Sequence, residues 1–254
     1  VMRQRLGDGT REVWPVPETV GFAIPDTAGG LVLGLRSGLH RLRPGATVPT
    51  LMLAPEPHLP GNRLNDGTTD ATGRLWFGSM HFEAQHPSGS LYRLEPDGTL
   101  AVADQGYRVT NGPAISPDGR TLYHNDTLVG LVLAFDLDAG TGMLSRRRPF
   151  AQLGPGEGFT DGLTVGADGH VWVACFGGAA VHRYDTAGRL LERIPVPSPI
   201  VTSVAFGGPG LSTLFVTTGR IGMSDRDLTA WPLSGSLFAY ETDAVGQAAE
   251  PFAG

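Results

Sequence analysis

The chain has 254 residues, 41% hydrophobic and 17% charged, with 37 Gly, 20 Pro and a single Cys. That supports a large core, is too apolar for intrinsic disorder, lacks any run of about 18 apolar residues to span a membrane, and excludes a disulfide framework or thiolate metal cluster. Nineteen basic against 25 acidic residues give a net charge of −6, the wrong sign for a polyanion binder, so neither nucleic acid nor a membrane is an expected partner.

Short β-rich runs alternate with Gly, Pro, Asp and Asn turns along the whole chain, and no long segment keeps a helical apolar period. The opening Val1–Leu6, the turn Gly7-Asp-Gly9 and Thr10–Trp14 read as the third and fourth strands of a four-stranded unit. From Pro15 onward the units are complete. Their first strands open at Val20, Asp66, Asn111, Asp161 and Ser203. A tight turn followed by an apolar second strand recurs in Asp26–Leu33, Asp70–Gly78, Pro117–Tyr123, Ala167–Ala174 and, degenerately, Leu211–Val216. Third strands follow at Leu39–Leu42, Leu91–Leu94, Val132–Phe135, Val181–Tyr184 and Leu237–Tyr240. Fourth, weaker strands follow polar turns, as in Leu100–Ala103 and Leu190–Ile194. The period of roughly 45 residues is that of propeller blades. The expected fold is therefore all-β, a six-bladed β-propeller in one domain, with residues 1–14 an incomplete first blade and 15–254 five full blades. Closure removes sheet edges, so the half-blade implies two strands outside the given chain, which opens on Val1 rather than Met.

First strands of blades line the central channel. Three of them carry a carboxylate or amide directly before a Gly: Asp66-Gly67, Asn111-Gly112 and Asp161-Gly162, with Arg63 and Asn65 just upstream of the first. Such dipeptides are common in turns. Three in phase, where no tight turn is needed, also match oxygen donors converging on a hard divalent cation such as Ca²⁺ or Mg²⁺, with Zn²⁺ and Mn²⁺ left open.

The segments Asn62–Gly67, Arg74–Met80, Thr110–Pro113, Thr160–Leu163 and Val171–Cys175, in this order, resemble the gluconolactonase/regucalcin-like (senescence marker protein) family from about Pro15 to Gly254. The resemblance implies a lactonase, a propeller that hydrolyses a sugar lactone to its aldonic acid with one divalent metal ion (Ca, Zn, Mn or Mg). It implies Asn111 and Asp161 as metal ligands, Asp161 as general base, and Arg63, Asn65 and Glu83 as substrate-binding residues. The family's first metal ligand, a Glu in a Gly-Glu pair ahead of the first strand, has no counterpart here. Glu18 precedes a different blade, which leaves two of three protein ligands. The alternative function is a non-catalytic propeller that binds a metal or a partner.

Other candidates have plainer readings. His81 and His86 flank Glu83 in a polar loop without the helical His pair of a zincin, so they read as solvated loop residues. His124, beside Asn125 and Asp126, reads as a turn residue at a strand end; Asp66 can orient Arg63. Gly154–Gly158 lacks the Lys-Ser/Thr of a phosphate loop and reads as a connector. Cys175 lies in an apolar strand and reads as packing, while Arg146–Arg148 reads as a solvated face. With no secretory leader in the sequence and a lone thiol suited to a reducing compartment, the expected localisation is cytoplasmic.

Overall fold

A computed structural model describes all residues, 1–254. The chain forms two compact units, Val1–Thr110 with Ala249–Gly254, and Asn111–Ala248.

The first unit opens with a two-stranded ribbon, β1 (Met2–Gln4) and β2 (Arg11–Val13). Two four-stranded antiparallel sheets follow. One runs β3 (Val20–Pro25), β4 (Leu31–Leu35), β5 (Gly38–Leu42) and β6 (Thr50–Leu53); the other runs β7 (Asn62–Thr69), β8 (Leu75–His81), β9 (Gly89–Leu94) and β10 (Leu100–Tyr107). The C-terminal segment returns to this unit, where Phe252 bridges Asp26 in parallel.

The second unit holds β11 (Thr110–Ile115), β12 (Thr121–Asp126), β13 (Leu131–Leu137) and β14 (Leu144–Gln152), then β15 (Phe159–Val165), β16 (Val171–Phe176), β17 (Ala180–Tyr184) and β18 (Leu190–Pro195). Its last sheet has three strands, β19 (Val201–Gly207), β20 (Thr213–Thr218) and β21 (Leu237–Glu241). The one α-helix, α1 (Asp225–Ala230), lies in the connection between β20 and β21, capped by Ser224 in a capping box with Asp227.

This is an all-β propeller with five blades, not the six expected from the sequence. The ribbon β1–β2 pairs with no other strand, and most of its side chains are exposed. Its exposure matches that of the outer blade strands, which is why the sequence pattern counts it as part of a blade.

Within each blade the middle strands are buried almost throughout and the fourth strands are mostly open, as in β8 against β10 or β16 against β18. The cores are built from aromatic and branched residues. Phe22, Phe77, Tyr92 and Phe252 pack in the first unit; Trp172, Val181, Val204 and Leu214 do so in the second.

The recurring tight turns work through their carboxylates. The Asp118 side chain accepts from the Arg120 N–H at 3.0 Å, Asp168 from His170 at 3.0 Å, and Asp185 from Ala187 and Arg189 at 2.9 Å. These Asx turns fix the reversal between strands. The backbone N–H of Thr99 holds the Asp97 carboxyl below its usual range, and that of Arg189 does so for Asp185. Their contribution to stability is therefore complete above the unfolded carboxylate value of about 3.9 and is lost as pH falls through the lowered folded values.

Asp70 does the same work in a buried setting. It is 6% exposed. It accepts from the backbone of Thr72 at 2.9 Å and Arg74 at 3.1 Å, and from the indole N–H of Trp76 at 3.0 Å. Asp70→Ala leaves those three donors without their acceptor, while the Arg74 guanidinium keeps its ion pair with Glu95 at 2.8 Å. The expected cost is roughly 3 kcal/mol, a fall in Tm of about 10 °C by thermal circular dichroism. Asp97→Ala, at an exposed turn, is expected to shift Tm far less.

Candidate active site

The first strands of the blades do not pair continuously with their neighbours. In β3 the register slips between Val20 and Phe22, in β7 between Leu64 and Asp66, in β15 between Thr160 and Leu163, and in β19 between Val201 and Ser203. Each slip is a β-bulge, which leaves residues outside the regular ladder and re-aims a side chain. Close approach accompanies the bulges. A Cβ on Gly21 would lie 2.6 Å from the Asn65 carbonyl oxygen, and one on Gly162 would lie 2.3 Å from Ser203 Oγ. Only glycine fits at either place.

The register also corrects the phase read from the dipeptides. Leu64 pairs with Ser79 and Gly67 with Phe77; Thr160 pairs with Cys175 and Leu163 with Val173. Ser79 and Cys175 each stand three residues after a blade tryptophan, Trp76 or Trp172. The residue at the position of Asp161 is therefore Asn65, not Asp66. Asp66 lies opposite Gly78 and accepts from the Gly67 N–H at 2.8 Å.

In the second unit, Asn111 and Asp161 sit on β11 and β15. Gln247 Nε2 ties these strands by donating to both the Ile115 and Val165 carbonyls at 3.1 Å, and a Cβ on Gly112 would lie 3.1 Å from Leu163 Cγ. Asn111 is buried, and its Nδ2 donates to Thr127 Oγ1 at 2.9 Å. That bond fixes the orientation of the amide. Asp161 is half-buried, and its carbonyl accepts from Asn125 Nδ2. Asn125 and His124 are fully buried within β12, so His124 is an interior strand residue and not a turn residue. Burial, and then the Arg147 charge, pushes the His124 imidazole down to about 3, so it is neutral at physiological pH.

In the first unit, Arg63 and Asn65 are both half-buried on β7. Asn65 Nδ2 donates to the Thr110 carbonyl, and Thr110 Oγ1 donates to that of Ser79 at 2.9 Å. The Arg63 guanidinium lies 5.8 Å from the ring centre of Phe82, the neighbour of Glu83, so the loop after β8 meets Arg63 through that ring. Glu83 is exposed and accepts from Gln85 Nε2 at 2.9 Å. His81 Nδ1 accepts from the Glu83 and Gln85 N–H groups at 3.3 and 3.4 Å, so this imidazole organises the loop. No group of three or more His, Cys, Asp or Glu side chains is placed to hold a metal ion.

A cavity of about 290 Å³ adjoins Arg63, walled by Glu18, Arg36, Ser37, Glu56 and Asn62 among others. Glu56 accepts from Asn62 Nδ2 at 2.8 Å, Ser79 Oγ at 2.7 Å and the Tyr92 hydroxyl at 2.8 Å. Burial, and then this carboxylate, raises the Tyr92 phenol above its ordinary value.

The SMP-30/Gluconolactonase/LRE-like region model matches residues 1–220. The chain belongs to that family. It is 38% identical to the L-arabinolactonase of Azospirillum brasilense over 95% of this chain and 80% of that one. It is 34% identical to the 6-deoxy-6-sulfogluconolactonase of Pseudomonas putida over 97% and 85%. The crystal structure of regucalcin from Agrobacterium tumefaciens, a calcium-binding protein, superposes with a TM-score of 0.94 at 32% identity, over 99% of this chain and 85% of that one. A lactonase is the enzyme class this kinship supports.

Sequence reasoning missed Glu56 and Arg36 in this family member. Glu56 stands in Pro55-Glu-Pro57, which reads only as loop punctuation, and Arg36 in a hairpin turn between β4 and β5. Cys175 is buried as expected, its thiol pushed up to about 12 by burial, which excludes it as a nucleophile at neutral pH. Arg146 and Arg148 are exposed and pair with Asp136. Glu56→Ala removes one acceptor from three inward-facing donors. It is expected to cost roughly 3 kcal/mol in a thermal melt, and to move the Tyr92 phenol back toward its ordinary value in an absorbance titration.

Proposed function

We propose that the protein hydrolyses a sugar lactone to its aldonic acid with the help of one divalent metal ion. What supports this reading is that Gln247 bonds the backbones of β11, the strand of Asn111, and β15, the strand of Asp161, at 3.1 Å each. An amide oxygen and a carboxylate are hard donors that suit Ca²⁺, Mg²⁺ or Mn²⁺, with Zn²⁺ also compatible. Asn111 and Asp161 would hold the ion, which when bound supplies charge to polarise the lactone carbonyl.

The chain's own residues do the rest. Water attacks the carbonyl carbon while an Asp161 carboxylate oxygen takes its proton. The ring C–O bond then breaks, and the proton passes to the departing ring oxygen, which leaves as a hydroxyl on the open-chain acid. The buried Asn125 amide bonds the Asp161 backbone and holds that residue's bulge in place. Arg63, Asn65 and Glu83 are assigned to the sugar hydroxyl groups, two donors and an acceptor suited to a polyol. The single thiol and the absence of charge favouring polyanions agree with a small-molecule substrate in the cytoplasm.

The test is hydrolysis of D-glucono-1,5-lactone, followed by acid release. Chelation is expected to abolish turnover and a divalent ion to restore it. Asp161→Ala is expected to lower kcat by about 10²–10⁴-fold, while His86→Ala stays within about twofold of the wild type. Arg63→Gln is expected to raise KM for this lactone much more than for δ-valerolactone, which has no hydroxyl groups to bind. Ion binding without turnover of any lactone would instead support a non-catalytic, metal- or partner-binding propeller.

A further inference from the structure

The blades do not fill the bulge of the first strand with the same kind of residue. In β7 the ladder passes from Leu64 opposite Ser79 to Asp66 opposite Gly78, which leaves Asn65 as the extra residue. In β15 the slip opens at Asp161. In β19 the ladder passes from Val201 opposite Thr218 to Ser203 opposite Thr217, and the extra residue is Thr202. Thr202 therefore holds, one blade later, the place of Asp161. The two strands meet at this level within the second unit. A Cβ on Gly162 would lie 2.3 Å from Ser203 Oγ, so Asp161 and Thr202 each stand one residue before that contact.

Thr202 is half-buried, and both branches of its side chain are held. Its Cγ2 would lie 3.5 Å from a Cβ on Gly219. Its Oγ1 lies 2.8 Å from Thr217 Oγ1, and the Thr217 hydroxyl donates to the Ser203 carbonyl at 3.4 Å. A carbonyl oxygen only accepts. The Thr217 proton is thus used there, and the Thr202 hydroxyl supplies the proton between the two threonines. Bonds in such a chain reinforce one another. The chain leaves Thr202 Oγ1 with lone pairs and no proton to give, an acceptor set in place for an O–H donor.

We propose that Thr202 accepts a hydrogen bond from the hydroxyl on the carbon next to the lactone carbonyl, and so selects 2-hydroxy lactones over their 2-deoxy counterparts. This rests on the lactonase reading, in which Asp161 works at the carbonyl carbon. A group on the adjoining strand, at the same level, meets the next atom of the ring. Thr202 is then a specificity residue, acting on substrate affinity and not on bond breaking.

The test uses D-ribono-1,4-lactone and 2-deoxy-D-ribono-1,4-lactone, which differ only in the C2 hydroxyl. The wild type is expected to favour the hydroxylated lactone in kcat/KM by about tenfold. The C2 hydroxyl also alters the reactivity of the carbonyl, so the reading is the change in that ratio between proteins. Thr202→Val replaces the hydroxyl by a methyl of similar size and is expected to remove most of the preference, mainly through KM for D-ribono-1,4-lactone. Thr202→Ser keeps the hydroxyl and is expected to retain it. Equal kcat/KM for the two lactones in the wild type, a preference that survives in Thr202→Val, or an equal loss in both variants overturns the proposal. Failure of the lactonase reading looks different, since the wild type then turns over neither lactone. In that event calorimetry with the same two lactones decides the role of Thr202. Tighter binding of D-ribono-1,4-lactone that is lost in Thr202→Val sustains the hydroxyl site, and equal or undetectable binding of the two removes it.

Discussion

The close approach of first-strand glycines to the next blade, at Gly21 and Gly162, is the constraint on which the site depends. Where Gly21 meets the Asn65 carbonyl, and Gly162 meets Ser203, a side chain as small as a methyl has no room. Strands this close cannot all keep a regular ladder with their own second strand, and the slip is taken up as a bulge. A bulge costs backbone pairing locally, and it turns a side chain out of the alternation that would otherwise bury it or give it to the next layer. Asn65 and Asp161 both occupy such places. The polar groups are therefore a consequence of how tightly the blades are set, and the glycine beside Asp161 serves packing as much as chemistry.

Side-chain amides then stabilise what the bulges create. Asn125 bonds the backbone at Asp161, Asn65 bonds the backbone at Thr110, and the Asn111 amide is fixed by Thr127. A buried amide is a costly group unless its hydrogen bonds are made. Spending it on backbone carbonyls holds loops and strand starts in a conformation that local propensity would not choose. The acidic groups divide in the same manner. Glu56 and Glu18 accept from neutral donors within the first unit, and Asp161 is half-buried on β15.

Much of the fold was legible because the turn chemistry is local. Asp118, Asp168 and Asp70 each sit where a carboxylate can accept from the backbone two to four residues on, and the following apolar run supplies the buried second strand. The number of blades was not legible, because β1 and β2 are as exposed as any outer strand and only their lack of a third partner sets them apart. The phase of Asp66 was misread for a related reason. A bulge adds a residue to the count, and matching dipeptides by their glycine slides β7 by one position against β15. His124 seemed to end a strand because Asn125 and Asp126 follow it, yet both belong to β12 and the imidazole is buried in it. Arg36 left no trace in the sequence pattern, since an arginine in a hairpin turn is ordinary until Phe82, distant in the chain, is seen beside it.

The central claim is that Asn111 and Asp161 share one metal ion. Titration of the metal-free protein with Mn²⁺, read by the loss of the free ion's paramagnetic resonance signal, tests it without reference to turnover. The account predicts one site per chain, weakened by at least about tenfold in Asp161→Ala and in Asn111→Ala alike, as expected when a ligand is lost from a small donor set. Undiminished binding in both variants would contradict it, and so would no binding by the wild-type chain at millimolar ion.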